Sequence, residues 1–259
     1  MPRRFIDISV ALQSDIKSDP DFMLPEIKYR EHAETAKDIC ALFPGLTRDQ
    51  LPDGMGWAME EIRLNTHNGT HVDAPWHYHP TMNGGERAIR IDEIPLEWCY
   101  QPGVKFDFRH FADGYLVTPD DMQAELDRID HDLQALDIVV VNTAAGERYG
   151  EDDYLTKGCG FGREATLWLT ERGVRVVGTD AWTWDAPFPQ TLERWNKSRD
   201  PSIIWEGHKA GMEQGYCQIE KLGNLNQLPS SGFDVICFPT KIKDASAGWT
   251  RAVAVINDQ

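Results

Sequence analysis

The sequence predicts an α/β fold, and three observations carry that expectation. Two strongly β-branched runs, residues 137–143 and 174–179, flank a helical stretch at residues 163–172, the pattern of a strand, crossover, strand unit. Further strand patterns stand at both ends of the chain, at residues 4–10 and 252–256. The 259 residues are 41% apolar and 10% aromatic, enough to bury one substantial core, so a single domain over residues 1–259 is expected.

Taken in order, residues 4–10 place Ile6, Ile8 and Val10 in alternation with Asp7 and Ser9, which suits a mostly buried strand. Residues 15–25 are polar and proline-bearing and read as a loop, and residues 33–42 as a short helix ending before Pro44-Gly45. Over residues 57–66, Ile62 and Leu64 alternate with Arg63 and Asn65, predicting a half-buried strand that runs directly into a histidine-rich segment. Pro80 and Gly84-Gly85 mark a long loop, and residues 103–108 another strand. Thr118 supplies a hydroxyl cap, Pro119 the first turn, and Asp120 and Asp121 face the positive end of a helix predicted to reach about Ile129. After the strand, crossover, strand unit, residues 190–196 read as a helix, 233–238 as a third buried strand and 252–256 as a terminal one. No repeat, low-complexity tract or composition shift marks a linker.

Charge narrows the function classes. Forty-two acidic against twenty-six basic residues leave a net charge of -16, which repels a phosphate backbone or an anionic lipid surface, so neither nucleic acid nor membrane is an expected partner. The longest apolar runs, such as Ile138-Val139-Val140-Val141, fall far short of the roughly 18 to 20 residues a bilayer requires. Met1-Pro2-Arg3-Arg4 has a basic start, but Asp7 and Gln13 interrupt the apolar stretch of a secretory signal, so export is not expected. Cys40, Cys99, Cys159, Cys217 and Cys237 are odd in number and lack a CxxC pair, which argues against a disulfide framework or a thiolate zinc site. A reduced, cytoplasmic protein is the expectation.

Four of the eight histidines fall within the thirteen residues from His67 to His79. Extending the preceding strand's period of two puts His67, His71, Asp73 and His77 in one parity class, so an extended chain presents them on one face. Gly69 and Pro75 argue against a helix. A lone histidine is ordinarily a core or surface side chain; the shared parity with a carboxylate favours a divalent ion such as Zn²⁺, Mn²⁺ or Fe²⁺. His79 shares the parity but lies beyond the turn-prone part. Two histidines and a carboxylate also make the facial triad of a non-haem Fe(II) oxygenase, or the site of a catalytically inert metal- or ligand-binding protein, and both stand as alternatives to a hydrolase.

The run His67-x-Gly69-Thr70-His71-x-Asp73-x-Pro75-x-His77 resembles the signature of the cyclase family of metal-dependent hydrolases, which holds kynurenine formamidases, isatin hydrolases and related amide or lactone hydrolases. The family's second pair, a histidine followed twelve residues on by a carboxylate or amide, finds its match in His208 and Glu220, residues that alone would read as surface positions. Ile6-Asp7-Ile8-Ser9 and Gly248-Trp249-Thr250-Arg251 extend the similarity to both ends of the chain. The resemblance implies that His67, His71 and Asp73 hold one metal and Asp73, His208 and Glu220 a second, with Asp73 bridging. Isatin-hydrolase-like members carry glutamine at the position of Glu220 and bind one manganese, so the carboxylate here points to two zinc ions, with manganese as the other candidate. His77 stands at the catalytic acid/base position. The resemblance further implies a mixed, barrel-like β core with surrounding helices of the swivelling β/β/α type, a homo-oligomer (dimer or tetramer), and hydrolysis of a small amide, N-formyl amine, cyclic amide or lactone by metal-activated water.

Nine tryptophans bear on the substrate. Trp57, Trp76, Trp182 and Trp184 lie near the strands that frame the motif and would form a flat wall for an aromatic or heterocyclic small molecule, with Trp76 and Trp182 the residues of choice. Kynurenine formamidases, by the same resemblance, place a substrate-contacting tryptophan in the loop after the first strand. Here that loop carries Phe22 and no tryptophan, so Phe22 is the substrate-binding candidate and a substrate other than N-formylkynurenine is expected. Extra length at residues 25–57 and 180–207 predicts a remodelled pocket. The run Gly158-Cys159-Gly160-Phe161-Gly162 lacks the Gly-Lys-Ser/Thr ending of a phosphate loop and reads as a flexible active-site rim, with Cys159 a small loop residue rather than a nucleophile. The acidic stretch 120–137 reads as a solvated helix face.

Overall fold

Burial on both faces decides which apolar runs become central strands. The computed structural model describes residues 3–257, so Met1 and Pro2 of the basic start lie outside the described residues, as do residues 258–259. The first half of the chain forms β1 (Arg3–Asp7), β2 (Glu26–Arg30), α1 (His32–Leu42), β3 (Met59–Arg63), β4 (His71–Asp73) and α2 (Pro75–Tyr78), then the short strands β5 (Thr81–Met82) and β6 (Glu86–Arg87). Next come β7 (Tyr100–Asp107), β8 (Leu116–Val117), α3 (Pro119–Ile129), β9 (Ile138–Asn142), β10 (Gly160–Phe161), α4 (Arg163–Glu171) and β11 (Val176–Thr179). The last stretch holds α5 (Phe188–Ser198), α6 (Glu206–Lys209), β12 (Cys217–Glu220), β13 (Phe233–Ile236), β14 (Ala247–Trp249) and β15 (Val253–Asn257).

Nine strands make one curled, barrel-like mixed sheet in the order β1-β15-β13-β7-β9-β11-β12-β4-β14. Its centre, β7-β9-β11-β12, is parallel, and the flanking pairs are antiparallel. Along β9, Ile138 and Val140 join one core with Ile6, Val72, Ile219 and Val235. Val139 and Val141 face the other, against Met122 and Leu126 of α3 and Ala165 and Leu169 of α4. A strand covered on both faces reads as an unbroken apolar run, which is why this one was visible in the sequence. Helix α4 lies between the parallel strands β9 and β11, the strand, crossover, strand unit that the sequence predicts. Helix α3 begins as predicted: the Asp121 amide donates to Thr118 Oγ1 (3.2 Å) and the Thr118 amide to Asp121 Oδ2 (2.9 Å).

Two expectations need correction. The segment at 57–66 is neither half-buried nor continuous with the histidine run. Only Met59–Arg63 is a strand, all five residues are exposed, and it pairs with β2 in a separate two-stranded arm. Alternation with charged residues makes a strand there, but Glu26 and Arg63, 3.2 Å apart across the ribbon, show a pair of strands facing water on both sides. The glycine run at 158–162 is buried, not a flexible rim: a Cβ on Gly160 would meet the Ala186 amide nitrogen at 2.0 Å. Burial pushes the Cys159 thiol up, away from nucleophilic character.

Candidate metal centre

The histidine run is not one extended face. His67 sits in a turn, His71 and Asp73 lie on β4, and His77 lies on α2. Asn65 Oδ1 accepts from the His67 amide (3.0 Å) and Asn68 Oδ1 from the Asn65 amide (2.7 Å), which rolls the turn inward. Gly69 follows at φ +59, where a Cβ would also strike Leu12 at 2.6 Å. Pro75 does not break a helix here; it occupies the first turn of α2, where its missing N–H costs nothing. The two-residue period therefore places only His71 and Asp73, and a turn and a helical turn bring His67 and His77 to the same point.

That point lies at the carboxyl end of β12, where Glu220 pairs in register with His71 of β4. His67 Nδ1 lies 2.9 Å and His71 Nε2 3.3 Å from Asp73 Oδ1, and His77 Nε2 lies 3.9 Å from Asp73 Oδ2. Glu220 Oε2 is 3.5 Å from His71 Nε2, and Glu220 Oε1 is 3.7 Å from His208 Nε2. All six residues predicted from the two signatures thus converge, and His208 and Glu220 are buried rather than surface positions. Two compact triads, His67–Asp73–His77 and His71–Asp73–Glu220, share Asp73. Asp73 is thus common to both groups, and their membership differs from the expected grouping, with His77 drawn into the first triad.

Three of the candidate ligands, His71, His208 and Glu220, are oriented by hydrogen bonds from behind. His71 Nδ1 donates to the Gly69 carbonyl (2.9 Å), leaving Nε2 free toward Asp73. His208 Nδ1 donates to the Asp185 carboxylate, which also accepts from the amides of Gly207 (2.8 Å) and His208 (3.1 Å). The Trp184 amide donates to Glu220 Oε1 (3.0 Å). A buried ion pair between Lys221 and Asp19 sits beside the cluster: Lys221 Nζ donates to the His67 carbonyl (2.7 Å), while Asp19 accepts from Asn68 Nδ2 (3.0 Å) and Trp182 Nε1 (3.1 Å).

The donor set fits a divalent cation. Both oxygens of Asp73 and Nε2 of His71 are fully buried and lack any hydrogen-bond partner, a state that is costly unless a cation completes it. Burial opposes ionisation of Asp73, yet His77, His67 and His71 around it hold its carboxyl well below the usual range. Burial likewise opposes charge on His71, but Asp73 and Glu220 push its pKa up to about 9, so this cluster draws positive charge to itself. His77 goes the other way: burial brings it down to about 4, against the pull of Asp73, and it is a neutral imidazole at neutral pH.

Other predicted residues stand apart. Trp76 is half-buried, with the Arg90 guanidinium 4.6 Å above its ring. Trp182 is linked to the centre through Asp19 and lies under the Lys221 ammonium, 6.0 Å from its ring, and that ring meets Phe188 edge-on at 5.3 Å. Phe22 is 86% exposed, beside Arg63, Leu64 and Asn65. Trp57 is exposed, Trp184 is buried in a stack on Phe161 (3.9 Å), and His79 is engaged by Thr81 Oγ1 (2.9 Å). The sequence reading missed Asp19, Asp185, Trp205 and Lys221. Asp185 alone carried a signal, as the one charged residue between Ala181 and Pro187. Trp205 stacks on His208 at 4.5 Å and 20°, and meets His77 edge-on at 5.1 Å.

The family model described as "Putative cyclase" matches residues 6–186. The chain is 23% identical to the kynurenine formamidase of Erythrobacter litoralis over 206 residues, 76% of this chain and 80% of that protein. It is 27% identical to the kynurenine formamidase of Bordetella petrii over 198 residues, 75% of this chain and 79% of that one. Isatin hydrolase A from Labrenzia aggregata, bound to benzyl benzoate, shares the fold with a TM-score of 0.74 at 21% identity, covering 99% of this chain and 94% of the other. Isatin hydrolase A from Ralstonia solanacearum does so with a TM-score of 0.75 at 22% identity, covering 98% and 92%. The conjunction of a matched family model, a shared fold and a buried histidine–carboxylate cluster identifies the chain as a member of the cyclase family of metal-dependent hydrolases.

Proposed function

We propose that the chain hydrolyses a small amide, N-formyl amine, cyclic amide or lactone, with two zinc ions gathered around Asp73, manganese being the alternative metal, and His77 as the proton carrier. The observation that carries this reading is the pair of buried, unpartnered Asp73 oxygens in the midst of His67, His71 and His77. Kinship with kynurenine formamidases and isatin hydrolases supports a C–N bond beside a carbonyl as the target. A bound divalent ion supplies Lewis-acid polarisation of that carbonyl and acidifies water from a pKa of about 15.7 to about 7.

The chain's own groups do the rest. His67, His71, Asp73, His208 and Glu220 would hold the metal, and the bonds from Gly69, Asp185 and Trp184 keep their donor atoms turned inward. His77, neutral and partly open at the rim of the cluster, takes the proton that water releases on attack and delivers it to the departing amine or alkoxide. Trp76, Trp182 and Phe22 are carried as substrate contacts, Trp182 with the more direct connection through Asp19 to the centre. Among the described residues no helix is long and apolar enough to cross a membrane. A cytoplasmic homo-oligomer acting on a small aromatic or heterocyclic compound is the setting we infer.

Metal analysis of the purified protein, with turnover assays on formanilide, isatin and an aryl lactone, tests the reading. His71→Ala is expected to lose metal and turnover together; full turnover by that variant would overturn it. Oxygen uptake that depends on substrate would favour the Fe(II) oxygenase instead, and tight ligand binding without turnover the inert binding protein.

A further inference from the structure

Beside the cluster, a cleft of about 390 Å³ is lined by Phe188, Leu192 and Trp195 of α5 and by Ile204, Trp205 and Lys209. That volume lies within the range of small-molecule sites, about 300 to 1,000 Å³. Phe188, Leu192 and Ile204 are 52%, 56% and 40% exposed, so three large apolar side chains stand open to water around one concavity. Lys209, at its edge, has no ion-pair partner among the described residues, although acidic groups far outnumber basic ones in the chain. The cleft is not remote from the chemistry. Trp205 is its shared wall, one side stacked on His208 and edge-on to His77, and Asp185, which holds Nδ1 of His208, also borders it.

Trp205 is common to the two places: its ring lies 5.1 Å from that of His77 and 4.5 Å from that of His208, and it lines the cleft. We propose that this cleft receives the hydrophobic end of the substrate, distal to the scissile carbonyl. The substrate class is then an amide or ester whose carbonyl carries an aryl or alkyl arm long enough to pass Trp205, with an anionic substituent on that arm meeting Lys209. This proposal rests on the hydrolase reading above. A concave, lysine-edged site that shares a wall with His208 suits one extended small molecule, since its reacting end and its apolar end would both border a single indole.

The probe is 4-phenylbutyrate, an arylalkanoate anion, titrated by calorimetry into the metal-loaded full-length protein. Saturable binding is expected, weakened about tenfold or more in Leu192→Trp, which fills the cleft; 4-(4-sulfophenyl)butyrate, whose second anion lies on the arm, should bind wild type more tightly than Lys209→Met, whereas 4-phenylbutyrate binds the two alike. Absence of binding to wild type, or undiminished binding to a folded Leu192→Trp, overturns the proposal. In turnover, Leu192→Trp should lower kcat/KM for 4-phenylbutyranilide at least about tenfold more than for formanilide, through KM rather than kcat; equal losses on both overturn it. Turnover of formanilide without phenylbutyrate binding sinks the cleft alone. Saturable phenylbutyrate binding with turnover of neither anilide, nor of isatin or the aryl lactone, sinks the hydrolase reading and with it the role of the cleft in substrate recognition.

Discussion

The centre has two halves built on different plans. Its amino-terminal half, residues 65–79, is contiguous and aims itself: Asn65 and Asn68 shape the His67 turn, and the Gly69 carbonyl orients His71 two residues away. Its carboxy-terminal half is assembled at long range. Glu220 is held by the Trp184 amide and His208 by Asp185, thirty-six and twenty-three residues away in sequence. A local half can be carried as a motif, whereas an assembled half depends on the fold to deliver each partner.

The largest effect should come from the local half. His77 belongs both to the compact triad with His67 and Asp73 and to the rim where a proton carrier is needed. His77→Asn is expected to lower kcat by about 10² to 10⁴ while the metal content stays at the wild-type level, a combination read by steady-state kinetics and metal analysis. Loss of metal along with rate would instead make His77 a ligand, so that the amino-terminal half would hold an ion by itself.

Next comes the contact that joins the halves. Lys221 follows the candidate ligand Glu220, yet its ammonium reaches across to the His67 carbonyl and pairs with the buried Asp19. Lys221→Met leaves Asp19 buried without its cation and should destabilise the fold by about 3 to 5 kcal/mol in urea unfolding. Asp19→Asn added to Lys221→Met should recover part of that loss, because it removes the uncompensated charge. Full additivity of the two changes would show that the halves are not tied through this pair.

How much of this could be seen in the sequence follows the same division. Strands β9 and β11 were plain because both their faces are buried, and the first signature was plain because its residues are adjacent. Strand β12 was not recognised: Gln218 and Glu220 interrupt its apolar pattern, and what makes it a strand is parallel pairing with β11 and antiparallel pairing with β4. His208 stands on a helix of four residues, too short to announce itself by periodicity, and only family spacing pointed to it. The parity argument found the right residues of the first signature by a partly wrong route, since the turn at His67 and the helix at His77, not a continuous strand, close the cluster. Asp19, Asp185, Trp205 and Lys221 left almost no trace, because their roles come from partners that the chain brings near only when folded.

Asp185 measures how far the assembled half relies on such partners. Asp185→Asn should weaken metal affinity by about 10- to 100-fold, read by competition with a chelator, since an amide orients His208 without supplying the negative charge. An unchanged affinity would mean that the hydrogen bond to His208 suffices and that the negative charge of Asp185 adds nothing to metal binding.

The smallest effect lies deeper in the same support. Asp180 heads the stretch that carries Trp184 and Asp185, and its carboxylate accepts from Asn142 Nδ2 (2.6 Å), the Thr143 amide (2.9 Å) and Thr143 Oγ1 (2.7 Å). These donors favour the anion, but full burial outweighs them and pushes the pKa up from 3.8 to about 7. A carboxyl raised on folding contributes stability that is fully present below its unfolded value and is lost as pH rises through its folded one. Between pH 6 and pH 8 the wild type should therefore lose about 1.4 kcal/mol that Asp180→Asn does not lose. Urea unfolding at the two pH values should show the variant's deficit narrowing by that amount at pH 8. A deficit of equal size at both would mean that the three donors prevail and the carboxylate stays ionised throughout. The turn at His67 is shaped instead by the neutral amides of Asn65 and Asn68, so the same comparison on Asn65→Ala should show no such narrowing.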